Sequence, residues 1–275
     1  PYGDITQIEP CSINEHDILT GGFPCQAFSI AGKRGGFQDT RGTLFFNVAS
    51  IIKEKKPKAF LLENVKGLVS HDRGKTLKVI LNTLRDDLGY YVPDPQILNA
   101  KNFDLPQNRE RIYIVGFRQD LNIRDFEYPT GKLTKKTIKD IIEENEVSPK
   151  YYLSDTYLNT LRNHKARHAS KGNGFGYKIL SKDEIANAIV VGGMGRERNL
   201  VIDKRLTNFK PVTNIKGKIN DEYVRKMTPR EWARLQGFPE SFKIVVSDTQ
   251  AYKQFGNSVA VPVVEAIAKN IIGKL

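Results

Sequence analysis

The stretch Asp17-Ile18-Leu19-Thr20-Gly21-Gly22-Phe23-Pro24-Cys25-Gln26 predicts a short buried strand that ends in a glycine turn and then presents a cysteine. Pro24 restricts the backbone directly before the thiol. A thiol at the end of a strand can act as a nucleophile if its surroundings favour the thiolate. By spacing alone, a buried structural cysteine is the commoner case.

Strand and helix patterns alternate on both sides of this stretch. Apolar strands are predicted at residues 58–64 and 111–117, and amphipathic helices at 43–53 and 76–88. Such alternation is typical of an α/β fold with a mostly parallel sheet. In these sheets the chemistry lies beyond the carboxyl ends of the strands, so Cys25 and Glu63 are expected to meet at one edge.

Two charged motifs accompany these strands. In Glu63-Asn64-Val65 the carboxyl group can donate or take a proton beside a nucleophile, and an ordinary cap after a strand is the alternative. In Gln107-Asn108-Arg109-Glu110-Arg111 the two arginines point the same way if the segment is extended, and could then clamp an anion or a carbonyl oxygen. A solvated charged turn is the alternative for this motif.

Charge is concentrated in one part of the 275-residue chain. The net charge is +12, and residues 131–230 hold 21 Lys or Arg against 11 Asp or Glu. This asymmetry favours a polyanionic partner such as nucleic acid, with a solvated basic surface as the alternative. We predict a catalytic domain at 1–148, a smaller irregular basic domain at 149–225, and a return to the catalytic domain at 226–275.

Other features narrow the class of protein. No run of about 18 apolar residues predicts a membrane span, and the first residues lack the pattern of a signal peptide. Two cysteines without metal spacing favour free thiols in a cytosolic protein. His164 and His168 lie four residues apart, but no third ligand is evident, so no metal is expected.

The motifs, in this order, resemble those of the cytosine-5 DNA methyltransferase family, in its bacterial restriction-modification type. The resemblance covers the chain from end to end, through six segments: Gly3-Asp4-Ile5, Gly22-Phe23-Pro24-Cys25-Gln26, Glu63-Asn64-Val65, Gln107-x-Arg109-x-Arg111, residues 225–239, and Gln254-Phe255-Gly256-Asn257-Ser258-Val259. It implies a Rossmann-like S-adenosylmethionine-dependent methyltransferase fold with a target-recognition domain. It also implies a monomer that acts on double-stranded DNA in the bacterial cytoplasm, beside a cognate restriction endonuclease.

The resemblance assigns a chemical role to each catalytic residue. The Cys25 thiolate would add to carbon 6 of a cytosine that has been flipped out of the duplex, so that carbon 5 can be methylated. Glu63 would hold or protonate N3 and contact the exocyclic amine. Arg111, together with Arg109, would stabilise the ring oxygen and order the loop that carries Cys25.

Further residues would bind the cofactor and the DNA. The implied contacts to S-adenosylmethionine are Asp4, Ile5, Pro24, Asn257 and Ser258. Residues 26–41 resemble the mobile catalytic loop of the family, with DNA contacts from Gln26, Ser29, Lys33, Arg34 and Arg41. A disordered linker is the alternative for these residues. Residues 192–199 are predicted to form a recognition loop, with Arg196 and Arg198 on guanines or phosphates; an irregular surface loop is the alternative.

The sequence departs from the family pattern at its start. The Phe-x-Gly-x-Gly turn and the acidic residue that bind most of the cofactor precede the third element, which is where this chain begins. We therefore expect the isolated chain to be unstable and to bind cofactor poorly. A partial sequence explains this best; one half of a split enzyme is the alternative.

Three other functions remain open from the sequence. One is a tRNA cytosine-5 methyltransferase, which the large basic segment disfavours. Another is a catalytically inactive nucleic-acid-binding fragment, which the intact Cys25, Glu63 and Arg111 disfavour. The third is an unrelated thiol hydrolase, which would need a histidine near the cysteine, and none of the four histidines lies in a recognisable motif.

Overall fold

The computed structural model describes residues 3–24, 44–174, 176–192, 195–207 and 217–275. The helices and strands, in chain order, are β1 (Ile18–Gly22), α1 (Leu44–Lys55), β2 (Ala59–Val65), α2 (Lys75–Asn82), β3 (Tyr90–Tyr91), β4 (Gln96–Asn99), β5 (Gln107–Asn108), β6 (Glu110–Arg118), α3 (Asp155–Ala169), β7 (Ile179–Leu180), β8 (Ala186–Asn187), β9 (Leu200–Ile202), β10 (Val224–Lys226), α4 (Pro229–Gln236), α5 (Asp248–Asn257) and α6 (Val261–Ile272).

The described residues form two compact units. Unit 1 takes its residues from Pro1–Leu98, Glu110–Thr130 and Glu265–Leu275, and unit 2 from Asn99–Arg109 and Gly131–Val264. In the ranges that the structure describes, no helix is both long and apolar enough to cross a membrane.

Unit 1 contains a sheet with the strand order β1-β2-β6-β3, and β4 also pairs with β6. β1 and β2 are parallel, whereas β6 is antiparallel to both β2 and β3. The strands β1, β2 and β3 therefore run in one direction, as the mostly parallel prediction requires, and β6 is inserted between β2 and β3 in the opposite direction. This insertion was not predicted, and it brings the first residues of β6 to the edge where β2 ends.

Apolar side chains explain why these segments form the core of unit 1. β2 is buried along its first four residues, because it lies between two neighbouring strands and under helices. α1 buries the stripe that its helical spacing predicts, including Phe45, Val48 and Ile52. These side chains belong to one hydrophobic cluster with Phe23, the residue that follows β1 by one position.

Unit 2 contains the sheet β10-β9-β7, the parallel pair β5-β8, and the helices α3, α4 and α5. α4 begins with a capping box. The Thr228 side chain accepts a hydrogen bond from the backbone of Glu231, and the Glu231 carboxylate accepts one from the backbone of Thr228. Gly237 ends this helix with a φ of 81°, a left-handed conformation that favours glycine.

A buried ion network lies at the centre of unit 2. The Arg225 side chain is fully buried, with its Nη2 2.7 Å from Glu231 Oε1 and its Nε 2.9 Å from Asp203 Oδ2. Arg205 binds the same Asp203 carboxylate at 2.7 Å. Two guanidinium groups thus neutralise the buried carboxylates, which would otherwise be costly to remove from water.

The compact units do not follow the predicted domain boundaries. Residues 131–148 and 226–264 were predicted to be catalytic, but they belong to unit 2. The physical reason is a shared core, since Ile138 and Trp232 lie in one hydrophobic cluster with Leu180 and Val201. The assignment of residues 149–225 to target recognition stays a functional prediction.

Candidate active site

The predicted catalytic edge is formed by the ends of β1 and β2. Gly22, the last residue of β1, is paired with Glu63 in the parallel register. A Cβ atom added to Gly22 would lie 3.5 Å from Oε2 of Glu63. The turn Phe23-Pro24 therefore begins beside this carboxylate, and Cys25 is the next residue along the chain. Cys25 itself lies outside the described residues, as do the predicted DNA contacts Gln26, Ser29, Lys33, Arg34 and Arg41.

Glu63 and Arg111 are brought together by the register of β2 and β6. Glu63 is opposite Tyr113 and Val65 is opposite Arg111, and alternate residues of a strand share a face. The Arg111 Nε lies 2.9 Å from Glu63 Oε1, and both side chains are at most one-fifth exposed. The contact holds the carboxyl group of Glu63 and the guanidinium of Arg111 together at the edge where β2 ends.

Asn64 fixes the turn that leads to Cys25. As the neighbour of Glu63 it points to the other face of the sheet, where its Nδ2 donates to the carbonyl oxygen of Phe23 at 2.6 Å. Its Oδ1 accepts from the backbone N–H of Val65 at 2.8 Å, and the side chain is buried. The amide therefore ties the end of β2 to the residue two positions before the predicted nucleophile.

The exchange Asn64→Asp is expected to slow catalysis more than it weakens DNA binding. It replaces a buried donor with a second acceptor facing the Phe23 carbonyl, a loss that costs about 1–3 kcal/mol. We expect kcat to fall about tenfold or more, since 1.4 kcal/mol corresponds to a factor of ten. Single-turnover methylation and DNA affinity should be measured together, with the exposed Asn82→Asp as the charge-matched control. Equal losses in both quantities would contradict a role in positioning Cys25.

Arg109 has different partners from Arg111. Its side chain is only 3% exposed. Its Nη1 donates to the carbonyl oxygen of Ile189 at 2.8 Å, and its Nη2 donates to those of Gly256 at 3.3 Å and Ser258 at 2.8 Å. The guanidinium thus clamps backbone segments of unit 2, a structural role that the sequence did not indicate.

Two buried amides extend this clamp. Gln107 Nε2 donates to the carbonyl oxygen of Leu235 at 2.8 Å, and its Oε1 accepts from the N–H of Ile189 at 3.0 Å. Gln236 Nε2 donates to the carbonyl oxygens of Phe255 at 2.8 Å and Ser258 at 3.2 Å. Together with Arg109 they hold the backbone at both Ile189 and Ser258.

The predicted cofactor residues Asn257 and Ser258 lie at the end of α5. Asn257 is exposed, and Ser258 is half-buried with its backbone held by the clamp. Gly256, directly before them, is needed for close packing, because a Cβ atom there would lie 2.6 Å from Cγ2 of Val191. Asn257 is therefore presented to solvent from a turn whose backbone is fixed.

Asp4 and Ile5, in unit 1, offer the two kinds of group that an adenosine moiety needs. Asp4 is exposed and caps a 3₁₀ turn, with its Oδ1 accepting from both the N–H and the hydroxyl of Thr6 at 2.9 Å. These hydrogen bonds, from the backbone and then the side chain of Thr6, lower the pKa of Asp4. Ile5 is apolar and packs against the core of unit 1. An anionic acceptor beside an aliphatic surface fits a nucleoside, so this observation is compatible with the predicted cofactor contact.

The predicted recognition loop has an alternating pattern of exposure. Arg196 and Arg198 are exposed, whereas Glu197 and Asn199 are buried. Glu197 Oε1 accepts from the hydroxyl of Tyr157 at 3.1 Å, and Asn199 exchanges hydrogen bonds with the backbone of residue 187. Buried polar anchors therefore hold a segment whose two arginines face outward, and the Arg196 guanidinium lies over the Tyr252 ring at 5.4 Å.

Comparison with known proteins decides the family. The family model described as C-5 cytosine-specific DNA methylase matches residues 1–273. The type II methyltransferase M.HpaII of Haemophilus parainfluenzae is 66% identical over 277 residues, which cover 100% of this chain and 77% of that protein.

The chain belongs to the C-5 cytosine-specific DNA methylase family. A second relative of this methylase, the type II methyltransferase M.HhaI of Haemophilus parahaemolyticus, is 40% identical over 98% of the chain and 80% of its own length. The crystal structure of the S. pombe Dnmt2 methyltransferase covers 98% of the chain and 81% of its own, with a TM-score of 0.64 and 21% identity. That likeness bears on the fold, and it confirms the predicted Rossmann-like methyltransferase architecture.

Several residues of the two units were not assigned a role from the sequence. They are Asn64, Gln107, Gln236, Glu197 and Asn199. Each is a polar residue that the structure buries with hydrogen bonds. A polar side chain inside an apolar pattern is the signal that could have found them, because such groups are buried only when they are paired.

Proposed function

We propose that this methylase transfers a methyl group from S-adenosylmethionine to carbon 5 of a cytosine in a short specific site of duplex DNA. Cys25 is the nucleophile, and Glu63 and Arg111 act on the cytosine ring. The observation that carries this assignment is the Glu63–Arg111 ion pair, since Glu63 is paired with the residue three positions before Cys25. The family membership of the chain supports the reaction type.

The chemistry needs a nucleophile because carbon 5 of cytosine is itself too weak. When the Cys25 sulfur forms a bond to carbon 6, the electron pair of the 5,6 double bond moves to carbon 5 and makes it nucleophilic. The ring then carries additional negative charge at N3 and at the carbonyl oxygen. Glu63 holds or protonates N3, while Arg111 stabilises the oxygen. After methylation, a base takes the proton from carbon 5 and the sulfur–carbon bond breaks, which restores the aromatic ring.

Some residues of the chain would contact the methyl donor. S-adenosylmethionine supplies an electrophilic methyl group when it is bound. In unit 1, Asp4 and Ile5 would hold its adenosine part and Pro24 would be a further contact, and in unit 2 the predicted contacts are Asn257 and Ser258. In this proposal, none of the steps that the protein side chains carry out depends on a metal ion.

Unit 2 would supply the contacts that select the DNA site. The exposed Arg196 and Arg198 can reach guanine O6 and N7 in the major groove, the commonest specific contact of arginine, or the neighbouring phosphates. The target cytosine must leave the base stack before Cys25 can reach carbon 6. A methylase of this kind protects host DNA beside a cognate restriction endonuclease, and we place it in the bacterial cytoplasm, where that DNA is found.

The function is tested by incubating the protein with labelled S-adenosylmethionine and unmodified duplex DNA, with tRNA in parallel. We expect label on carbon 5 of cytosine in DNA alone. The exchange Glu63→Gln should lower the rate by about 10²–10⁴-fold, the usual contribution of a proton-transferring side chain. Glu110→Gln is the matched control, because Glu110 forms the neighbouring exposed ion pair with Lys66 at 3.0 Å and should leave the rate unchanged. Label in tRNA alone, or equal effects of the two exchanges, would overturn the assignment.

A further inference from the structure

A long segment of unit 2 carries positive charge and contains no carboxylate of its own. Residues 156–182 contain six Lys or Arg and no Asp or Glu. Two of the six pair with carboxylates outside the segment, Arg162 with Glu222 and Lys178 with Glu184. The remaining cations could bind a polyanion, which can reach them only if their side chains are exposed. The arrangement of α3, which makes up the first half of the segment, decides that question.

The two halves of α3 differ in how they pack. The first half buries Leu158 and Leu161, which belong to a small hydrophobic cluster of unit 2. From residue 162 to the end of the helix no side chain is buried. A helix half that is polar on all sides gains little from packing, so the second half of α3 mainly faces solvent.

Only some of the cations on α3 and in the turn that follows it are engaged within the protein. Arg162 forms an ion pair with Glu222, and the Lys165 ammonium lies 5.0 Å from the centre of the Tyr177 ring. Arg167 and Lys171 are exposed, and neither forms an ion pair with any of the residues that the structure describes. These two cations are thus available to an external partner.

The spacing of the two cations suits a nucleic-acid backbone. Arg167 and Lys171 are four residues apart, and Arg167 lies on the side of α3 turned away from Leu158. Arg167 lies in the last turn of α3, and Lys171 lies in the turn that follows the helix, two residues after Ala169. Both cations are therefore near the same end of the helix, and their long, flexible side chains can reach phosphates whose charges repeat about every 3.4 Å per strand along the duplex axis.

We infer that the second half of α3 and the turn after it form a phosphate-contacting surface, with Arg167 and Lys171 binding the DNA backbone independently of sequence. The inference rests on the proposed function, because it requires duplex DNA as the substrate. Two sets of cations in unit 2 would then have different tasks in DNA binding. Phosphate contacts fix the position and register of the duplex, whereas Arg196 and Arg198 contribute to the choice of bases.

A purely structural explanation makes a different prediction. Cations in the last turn of a helix stabilise the helix dipole by about 0.3–1 kcal/mol. In that case their loss would lower the melting temperature and leave the salt dependence of DNA binding unchanged. The two explanations are therefore separated by measuring stability and salt dependence on the same variants.

The test is the double variant Arg167→Gln/Lys171→Gln, measured by DNA affinity as a function of salt concentration. Each phosphate contact contributes about 0.9 to the slope of log affinity against log salt, so the slope should become less steep by about 1.8. Affinity for the methylated site and for unrelated duplexes should fall by the same factor, because phosphates carry no sequence information. The control is Lys132→Gln/Lys135→Gln, which removes the same charge from two other exposed lysines of unit 2 and should change the slope little.

Each alternative result has a definite meaning. An unchanged slope in the α3 variant, with wild-type protein still binding and methylating DNA, overturns the inference and leaves the proposed function intact. An equal change in the control shows that net charge alone is responsible, which also overturns it. If the wild-type protein neither binds nor methylates DNA, the proposed function fails first.

Discussion

Replacement of Cys25 by serine is expected to abolish methyl transfer while DNA binding persists. Loss of a nucleophile in enzymes with covalent intermediates costs on the order of 10⁴–10⁶ in rate, because the remaining groups cannot replace the bond-forming atom. The decisive measurement is the covalent adduct with an oligonucleotide that carries 5-fluorocytosine. Fluorine at carbon 5 cannot leave as a proton does, so the adduct with Cys25 should accumulate in the wild-type protein and be absent from the variant.

The chain provides a matched control for this experiment. Its other cysteine, Cys11, is exposed and not disulfide-bonded. Cys11→Ser should therefore form the adduct and methylate DNA like the wild-type protein. An adduct that survives in Cys25→Ser but disappears in Cys11→Ser would show that Cys11 is the nucleophile, which would contradict the mechanism.

The second large effect is expected on stability, from the exchange Arg225→Met. Glu231 has no exposed surface and Asp203 has almost none, and the exchange removes the guanidinium that binds both carboxylates. Breaking a buried ion pair in this way costs about 3–5 kcal/mol, because an uncompensated charge stays in the interior. Denaturant unfolding measures this difference, and Arg162→Met is the control. The Arg162–Glu222 pair is about half exposed, and exposed pairs contribute about 0–1 kcal/mol.

The same variant should differ from the wild-type protein in its response to acid. Burial raises the pKa of Asp203, but hydrogen bonds from Arg205 and Arg225 outweigh this and hold the pKa well below its ordinary value. The unfolded pKa of an aspartate is about 3.9, so the ionised Asp203 stabilises the fold above about pH 4, and this contribution is lost as the pH falls further. With Arg225 absent the contribution is smaller, so the stability gap between the two proteins should narrow below pH 4. A gap that is constant from pH 7 to pH 3 would contradict this account of the network.

The sequence predicted the elements of the fold more completely than their arrangement. Periodicity located β2, β6 and α1 to within two residues, because a buried strand and an amphipathic helix leave local patterns. The direction of β6 is a matter of long-range pairing, and an apolar strand looks the same in either direction. The sequence also did not reveal that Arg109 and Arg111 have different partners, for a related reason. Their partners, the carbonyls of Ile189 and Ser258 for one and Glu63 for the other, are distant in the chain.

At the candidate site, the charged motif residues were easier to predict from the sequence than the residues that position them. Glu63 and Arg111 could be singled out because charged residues next to an apolar strand are conspicuous. Asn64 lies beside them, yet its hydrogen bond to the Phe23 carbonyl depends on the parallel register of β1 and β2, which no local pattern reveals. Chemistry was therefore easier to predict than the hydrogen bonds that position it.

The alternation of exposed and buried residues from Arg196 to Asn199 has a consequence for how such a protein could diversify. Side chains at 196 and 198 can be exchanged without removing an anchor, because Glu197 and Asn199 bear the internal hydrogen bonds. New sequence preferences could then arise by single substitutions at the two outward positions, with little loss of folding stability. Descendants of such a protein could then differ in the DNA sequence they recognise while keeping the same fold.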